Sequence, residues 1–274
     1  MYYQRIDVKN AVCGYSTSSK SYGVREGAFF NARKKTFQRY TETIDGKKPV
    51  ELTPSEVSKA AEAGAIAFYC SYWLYDCNDF REPTGRDLVW VIRIEKGDLE
   101  FAKKLTRAAA EALWEAGAEP FVKYSGDLGF DIILPLESIP FEVWHGNIDA
   151  LDDLQGELSD VIVSSIRSRL GLVVEGDRHS FKIKEDEKTS LLSELRVKRG
   201  LLLAPMSINP ETGLVSVPVD PRELDNFTIF DASPSKVIGK IWRFGSGPSY
   251  GLIKYAKLGQ VRSLEDNQSE EQAF

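Results

Sequence analysis

The chain carries only two histidines, His145 and His179, and three cysteines, Cys13, Cys70 and Cys77. A structural zinc site needs thiolate and imidazole ligands in closely spaced pairs. No CxxC repeat is present and no histidine stands near a cysteine, so neither a zinc subdomain nor any other metal or cofactor is expected. The odd cysteine count also excludes a complete disulfide framework. A basic excess is missing too: 35 Lys and Arg against 41 Asp and Glu give a formal charge of -6. Without the broad positive field that sequence-independent nucleic-acid binding relies on, any such contact must be local. No apolar run approaches the roughly 20 residues needed to cross a bilayer. The opening MYYQRIDVKNAV lacks the charged-then-apolar layout of a secretory signal. These absences lead to the expectation of a cytoplasmic protein with no membrane partner.

What is present is ordinary globular composition, 42% hydrophobic and 11% aromatic over 274 residues, enough to bury one substantial core. Residues 52–66 open with Thr53-Pro54 and place Val57, Ala60, Ala61 and Ala65 at helical spacing. The aromatic run Ala67–Leu74 fits a strand, with a buried helical turn as the alternative, and DFREPTGRD then reads as a polar turn. Leu88–Ile94, LVWVIRI, is the clearest strand, apolar and β-branched as if covered on both faces. Leu99–Ala116 predicts an amphipathic helix, and 151–170 a second one stopped by Gly171. Between them lie two strands, 120–125 and 130–135, joined by Ser125–Gly129. Residues 185–199 alternate charges with leucines, the pattern of a solvated or interface helix. No repeat or long linker appears, so residues 1–262 are expected to form one α/β domain. The acidic tail 263–274, SLEDNQSEEQAF, is expected to be disordered.

Three segments carry a resemblance. The first is Tyr69–Tyr75 followed by Gly85-Arg86-Asp87-Leu88-Val89-Trp90. The second is Lys123-Tyr124-Ser125-Gly126-Asp127-Leu128-Gly129-Phe130-Asp131-Ile132. The third runs from Ala204-Pro205-Met206-Ser207-Ile208-Asn209-Pro210 through Glu211-Thr212-Gly213-Leu214 to Val219. In this order and spacing they resemble the archaeal and eukaryotic DNA primase small-subunit family. The resemblance implies the archaeo-eukaryotic primase catalytic-core fold, an α/β (α+β) fold with a mixed sheet flanked by helices. It also implies two-metal nucleotidyl transfer, with acidic side chains holding two divalent ions.

The acids that would do this are gone. Where the family has Asp-x-Asp on its first strand, this chain has Val91 and Arg93, an apolar group and a cation in place of oxygen ligands. The third acid falls within Leu195–Gly200, in the register adopted at Val197. Asp131 stands where a phosphate-binding histidine is expected, and Leu203 and Asn209 replace Arg and His. Ser125, Gly126, Gly129, Asp131 and Asn209 thus form a remnant nucleotide site, with no catalytic residue and no metal. The exchange of charge signs suggests an Arg93–Asp131 ion pair; the plainer alternative is that Arg93 reaches solvent and Asp131 caps a turn.

Other groups have two readings each. Glu95, Asp98 and Asp131 could form a displaced metal cluster, or Asp98 could simply cap the following helix. Lys123, Arg196, Lys198 and Arg199 are candidate nucleic-acid contacts, with Lys182, Lys184 and Lys188 nearby; the interleaved acids instead favour a solvated face. Cys70 and Cys77 fit a ligand role or buried packing. Residues 144–147 could be a loop contact or carry a structural histidine, and 245–251 invites a phosphate-loop reading but lacks the Gly-Lys-Ser/Thr ending and reads as a flexible turn. The expectation is a primase-like protein in DNA replication or repair without polymerase activity. It would act with protein partners such as a primase large subunit or an active small subunit. A nucleic-acid-binding module or an enzyme with relocated ligands are the competing readings.

Overall fold

In the computed structural model the described residues are 2–19, 21–43, 46–77, 79–176, 179–237 and 247–255. The tail 263–274 and part of the 245–251 loop lie outside them. In chain order, α1 (Ile6–Ser16) leads to β1 (Gly27–Asn31), β2 (Thr36–Gln38), β3 (Tyr40–Thr43) and β4 (Gly46–Pro49). Then come α2 (Pro54–Glu62), β5 (Ala65–Ser71), β6 (Trp73–Asp76), β7 (Asp79–Arg86) and β8 (Leu88–Lys96). After α3 (Leu99–Glu115) follow β9 (Phe121–Tyr124), β10 (Gly129–Leu134), α4 (Phe141–Trp144) and α5 (Ile148–Leu170). The chain continues through β11 (Val173–Gly176), β12 (Ser180–Glu185), β13 (Lys188–Glu194), β14 (Leu201–Leu203) and β15 (Pro218–Val219). A seven-stranded sheet runs β11-β12-β13-β8-β10-β9-β15, and a four-stranded one runs β14-β5-β1-β2. Where the resemblance implied a mixed sheet, every pairing among the described strands is antiparallel.

The period of two along β8 organises the larger sheet. Leu88, Trp90 and Ile92 are fully buried, and the Trp90 indole N–H donates to Ser159 Oγ of α5 at 2.8 Å. That face meets the helices: α3 packs on β8 and β10, and α5 packs on α3. Val89, Val91 and Arg93 alternate to the other face. Asp98 caps α3, accepting the Phe101 amide at 2.9 Å, and Gly171 ends α5 in the left-handed region at φ 66°, where a side chain would be strained. Among the described residues no helix is long and apolar enough to cross a membrane.

Two expectations fail for physical reasons. Residues 185–199 are not a helix; β13 occupies their centre and a loop follows. Its buried, helix-facing positions are Ser190, Leu192 and Glu194, so polar groups stand where an apolar alternation would have signalled a strand. Their polarity is satisfied locally: Ser190 Oγ donates to Arg93 O at 3.0 Å, and Glu194 accepts from Ser159. The DFREPTGRD segment is β7, not a turn, and pairs with β6 through two register shifts. These two strands form a sheet of their own, where both have an edge position and Pro83 costs no ladder bond.

Asp87, the acid of the first motif, ties separate parts of the chain together. It accepts from Arg25 of the segment before β1 (Nη2 to Oδ1, 3.0 Å), from the Tyr15 hydroxyl of α1 (2.9 Å) and from the Leu136 amide (3.0 Å). Arg25 and Asp87 side chains are both fully buried, so neither charge has water as a substitute partner. Asp87→Ala should therefore lower unfolding free energy by about 3–5 kcal/mol, the cost of an uncompensated buried charge. Urea denaturation checks this; a loss under about 1 kcal/mol would contradict it.

Candidate functional site

Antiparallel register lines up one row of side chains across the helix-free face of the large sheet. Ser193 of β13 stands opposite Val91 of β8, Val91 opposite Asp131 of β10, and Asp131 opposite Lys123 of β9. In the next row Arg93 faces Gly129. A Cβ on Gly129 would lie 2.0 Å from Ile92 O and 3.2 Å from Arg93 Cδ. Only glycine admits this approach, and it lets the Arg93 side chain fold back toward Asp131.

The Asp131 carboxylate is held from both sides. One oxygen accepts from Arg93 Nη2 and the other from Lys123 Nζ. Arg93 is fixed further by Nη1 bonds to Ile92 O (3.0 Å) and Phe130 O (3.1 Å). Lys123 is fully buried and also donates to Ser216 Oγ at 2.9 Å, which in turn donates to Tyr124 O at 2.9 Å. Burial alone would raise the Asp131 pKa; Arg93 and Lys123 overcome it and hold the carboxyl at about 2. The Lys123 amine is pulled down by burial, with Asp131 opposing. The carboxylate is the better-determined charge because it has two cations while Lys123 has one anion.

This donor set does not fit a divalent ion. The row offers methyl groups, a hydroxyl, an ammonium and a carboxylate whose two oxygens are already engaged, with a guanidinium beside them. Among the described residues no three His, Cys, Asp or Glu side chains form a metal-holding group. The displaced cluster does not assemble either. Glu95 pairs with Lys182 at 2.8 Å, and Asp98 caps α3 while pairing with Lys188 at 3.2 Å.

The remaining motif residues set backbone shape. Ser125 Oγ donates to Gly129 O at 3.1 Å and accepts the Asp127 amide at 3.2 Å. Gly126 has φ 82°, and a Cβ there would lie 2.9 Å from Asn209 Cβ and 3.2 Å from Leu214 O. Thr212 Oγ1 donates to Gly126 O, and Asn209 Oδ1 accepts the Glu211 amide at 2.9 Å. The second and third motifs are thus two turns locked against each other.

Several predicted residues lie elsewhere. Val197 is not in the row; it sits in the loop after β13 with its side chain 73% exposed, and its carbonyl accepts from Tyr72 OH and Trp73 Nε1 at 2.9 and 2.8 Å. The β13 residue beside Val91 is Ser193, also not an acid. Lys123 is too buried to touch a nucleic acid, which corrects the expectation of a contact there. Arg196 bonds Glu194 at 2.5 Å, and Arg199 bonds Glu26 at 2.9 Å and stacks over Tyr40; Lys198 is exposed. Lys184 pairs with Glu175 at 2.5 Å, so most of the basic patch is neutralised. Cys70 is buried and Cys77 exposed, and burial pushes the Cys70 thiol up to about 12. His145 ends α4 and Asn147 caps α5. Sequence reasoning missed Ser216 and the inward turn of Lys123. The signal for the latter was period-two placement opposite Asp131.

No protein-family model matches the sequence, and no curated protein matches it. Among solved structures the chain is similar to the polymerase domain from Mycobacterium tuberculosis Ligase D in complex with DNA. The TM-score is 0.52 at 15% sequence identity, covering 94% of this chain and 89% of that one. Such a likeness shows the fold: the archaeo-eukaryotic primase core, shared with a primase-like polymerase domain.

The folded pKa of Asp131 lies below its ordinary value, so its ion pairs contribute stability that is present above about pH 4 and lost as pH falls toward 2. In Asp131→Asn the two cations lose their partner at every pH. The stability gap between native and variant protein should therefore narrow by about 2 kcal/mol between pH 4 and 2. Urea midpoints across that range check it; a gap independent of pH would contradict it.

Proposed function

We propose that this chain is a catalytically silent protein of the primase-polymerase fold that serves as an accessory or structural partner in DNA replication or repair. The observation that carries this is the row Ser193–Val91–Asp131–Lys123 with Arg93 beside it. Two-metal nucleotidyl transfer needs several hard oxygen ligands converging on the ions. Here the one carboxylate in the row is consumed by two attached cations. A divalent ion approaching it would have to displace Arg93 or Lys123 and would meet the positive charge of both.

Position in replication or repair rests on the fold and on the DNA-bound state of the similar polymerase domain. Partners such as a primase large subunit or an active small subunit agree with a chain that keeps the frame while the site no longer offers ligands. Nucleic-acid binding through the old groove has less support, because Lys123 is inside the sheet and Arg196 and Arg199 are committed to carboxylates.

In a primer-synthesis and extension assay with Mg²⁺ or Mn²⁺ and all nucleotides, the native protein should give no polymer above background. Template-dependent product from protein free of contaminating polymerase would show that the ligands have moved and that the silent reading is wrong.

A further inference from the structure

A pocket of about 280 Å³ opens where the first residues of the chain meet the end of α2 and the start of β5. Its walls include Tyr2, Tyr3, Ala61, Ala65, Ile66 and Ile208. The tyrosine hydroxyls are used up elsewhere. Tyr2 OH donates to Met206 O at 2.9 Å, and Tyr3 OH donates to Ile66 O and accepts the Ile208 amide, both at 2.8 Å. What the pocket presents is therefore ring faces and methyl groups, an environment for an apolar side chain.

The lip of this pocket has the opposite character. Ala32 and Arg33 form it, and they begin the turn Ala32-Arg33-Lys34-Lys35, whose four residues are all exposed. The turn is fixed, because Asn31 Oδ1 accepts the Lys34 amide at 3.0 Å and Asn31 Nδ2 holds Ala63 O at 3.0 Å. The Arg33 stem covers Gly64, where a Cβ would come within 2.7 Å of it, and its Nη1 donates to Glu62 O at 3.4 Å, so the side chain forms a wall with its charge at the rim. Among the described residues no carboxylate side chain pairs with Arg33, Lys34 or Lys35. On a molecule with formal charge -6, three adjacent cations without a carboxylate partner form a local positive island.

We propose that this pocket docks an acidic peptide segment of a protein partner, with one large apolar side chain in the pocket and its carboxylates on the 33–35 turn. An apolar hole beneath a cationic lip complements that chemistry in both parts. The net negative charge of the rest of the chain weighs against a long polyanion such as nucleic acid. The proposal rests on the accessory reading above and identifies the kind of partner it requires.

The probe is a fluorescein-labelled acidic dodecapeptide with one central leucine, titrated into the full chain at about 50 mM salt, where screening is weak. Binding should weaken about tenfold when that leucine is replaced by alanine. Ala32→Phe, which fills the mouth from an exposed position, should weaken it at least tenfold, as should Lys34→Glu/Lys35→Glu, which should also flatten the salt dependence. No binding, or binding unchanged in both protein variants, would overturn the proposal. Displacement of the peptide by oligothymidylate as effectively as by unlabelled peptide would also overturn it and assign the surface to nucleic acid. These outcomes are independent of polymer synthesis, so failure here is distinguishable from failure of the silent reading.

Discussion

A carboxylate placed inside a sheet stays ionised only if cations replace the water it has lost, and Asp131 has one at each oxygen. The candidate site follows from that constraint. Lys123 must turn inward from β9, Arg93 must fold back along β8, and Gly129 must lack a side chain for the strands to come close enough. Ser216 then completes the ammonium's coordination from the segment that leads to β15. Removing Asp131 leaves two cations without their carboxylate, and a side chain at Gly129 overlaps Ile92 O, so the group holds together as a unit.

The residues of the three motifs hold backbone shape and buried charge in this fold. The Ser125–Gly129 turn and the 209–214 turn are braced against each other through Gly126, Thr212 and Asn209, and they position the ends of the strands that carry Lys123 and Asp131. Asp87, with Arg25 and Tyr15, joins the first helix to the start of β8. These are requirements of the backbone and of buried charge, and they act whether or not a nucleotide is ever bound. The two cations attached to Asp131 keep positive charge beside it and occupy both of its oxygens.

Much of this was legible in the residues. LVWVIRI, the two amphipathic helices and the Ser-Gly turn announce themselves through period and turn chemistry. The Arg93–Asp131 alternative follows from comparing charge signs at positions with a known spacing. What escaped did so because a local signal pointed the wrong way. Ser190 and Glu194 occupy buried strand positions, so β13 looked like a charged helix. Pro83 and Gly85 made β7 look like a turn. Lys123, read by its charge, suggested the surface, although pairing of the two strands around Ser125–Gly129 already set it opposite Asp131.

The most direct test of the proposed silent site is Mn²⁺ titration followed by electron paramagnetic resonance on the native protein and on Val91→Asp/Arg93→Asp. The account predicts that the native chain leaves the signal of free Mn²⁺ unchanged, while the double variant, with three carboxylates at 91, 93 and 131, sequesters the ion. Tight Mn²⁺ binding by the native protein, abolished by Asp131→Asn, would contradict it.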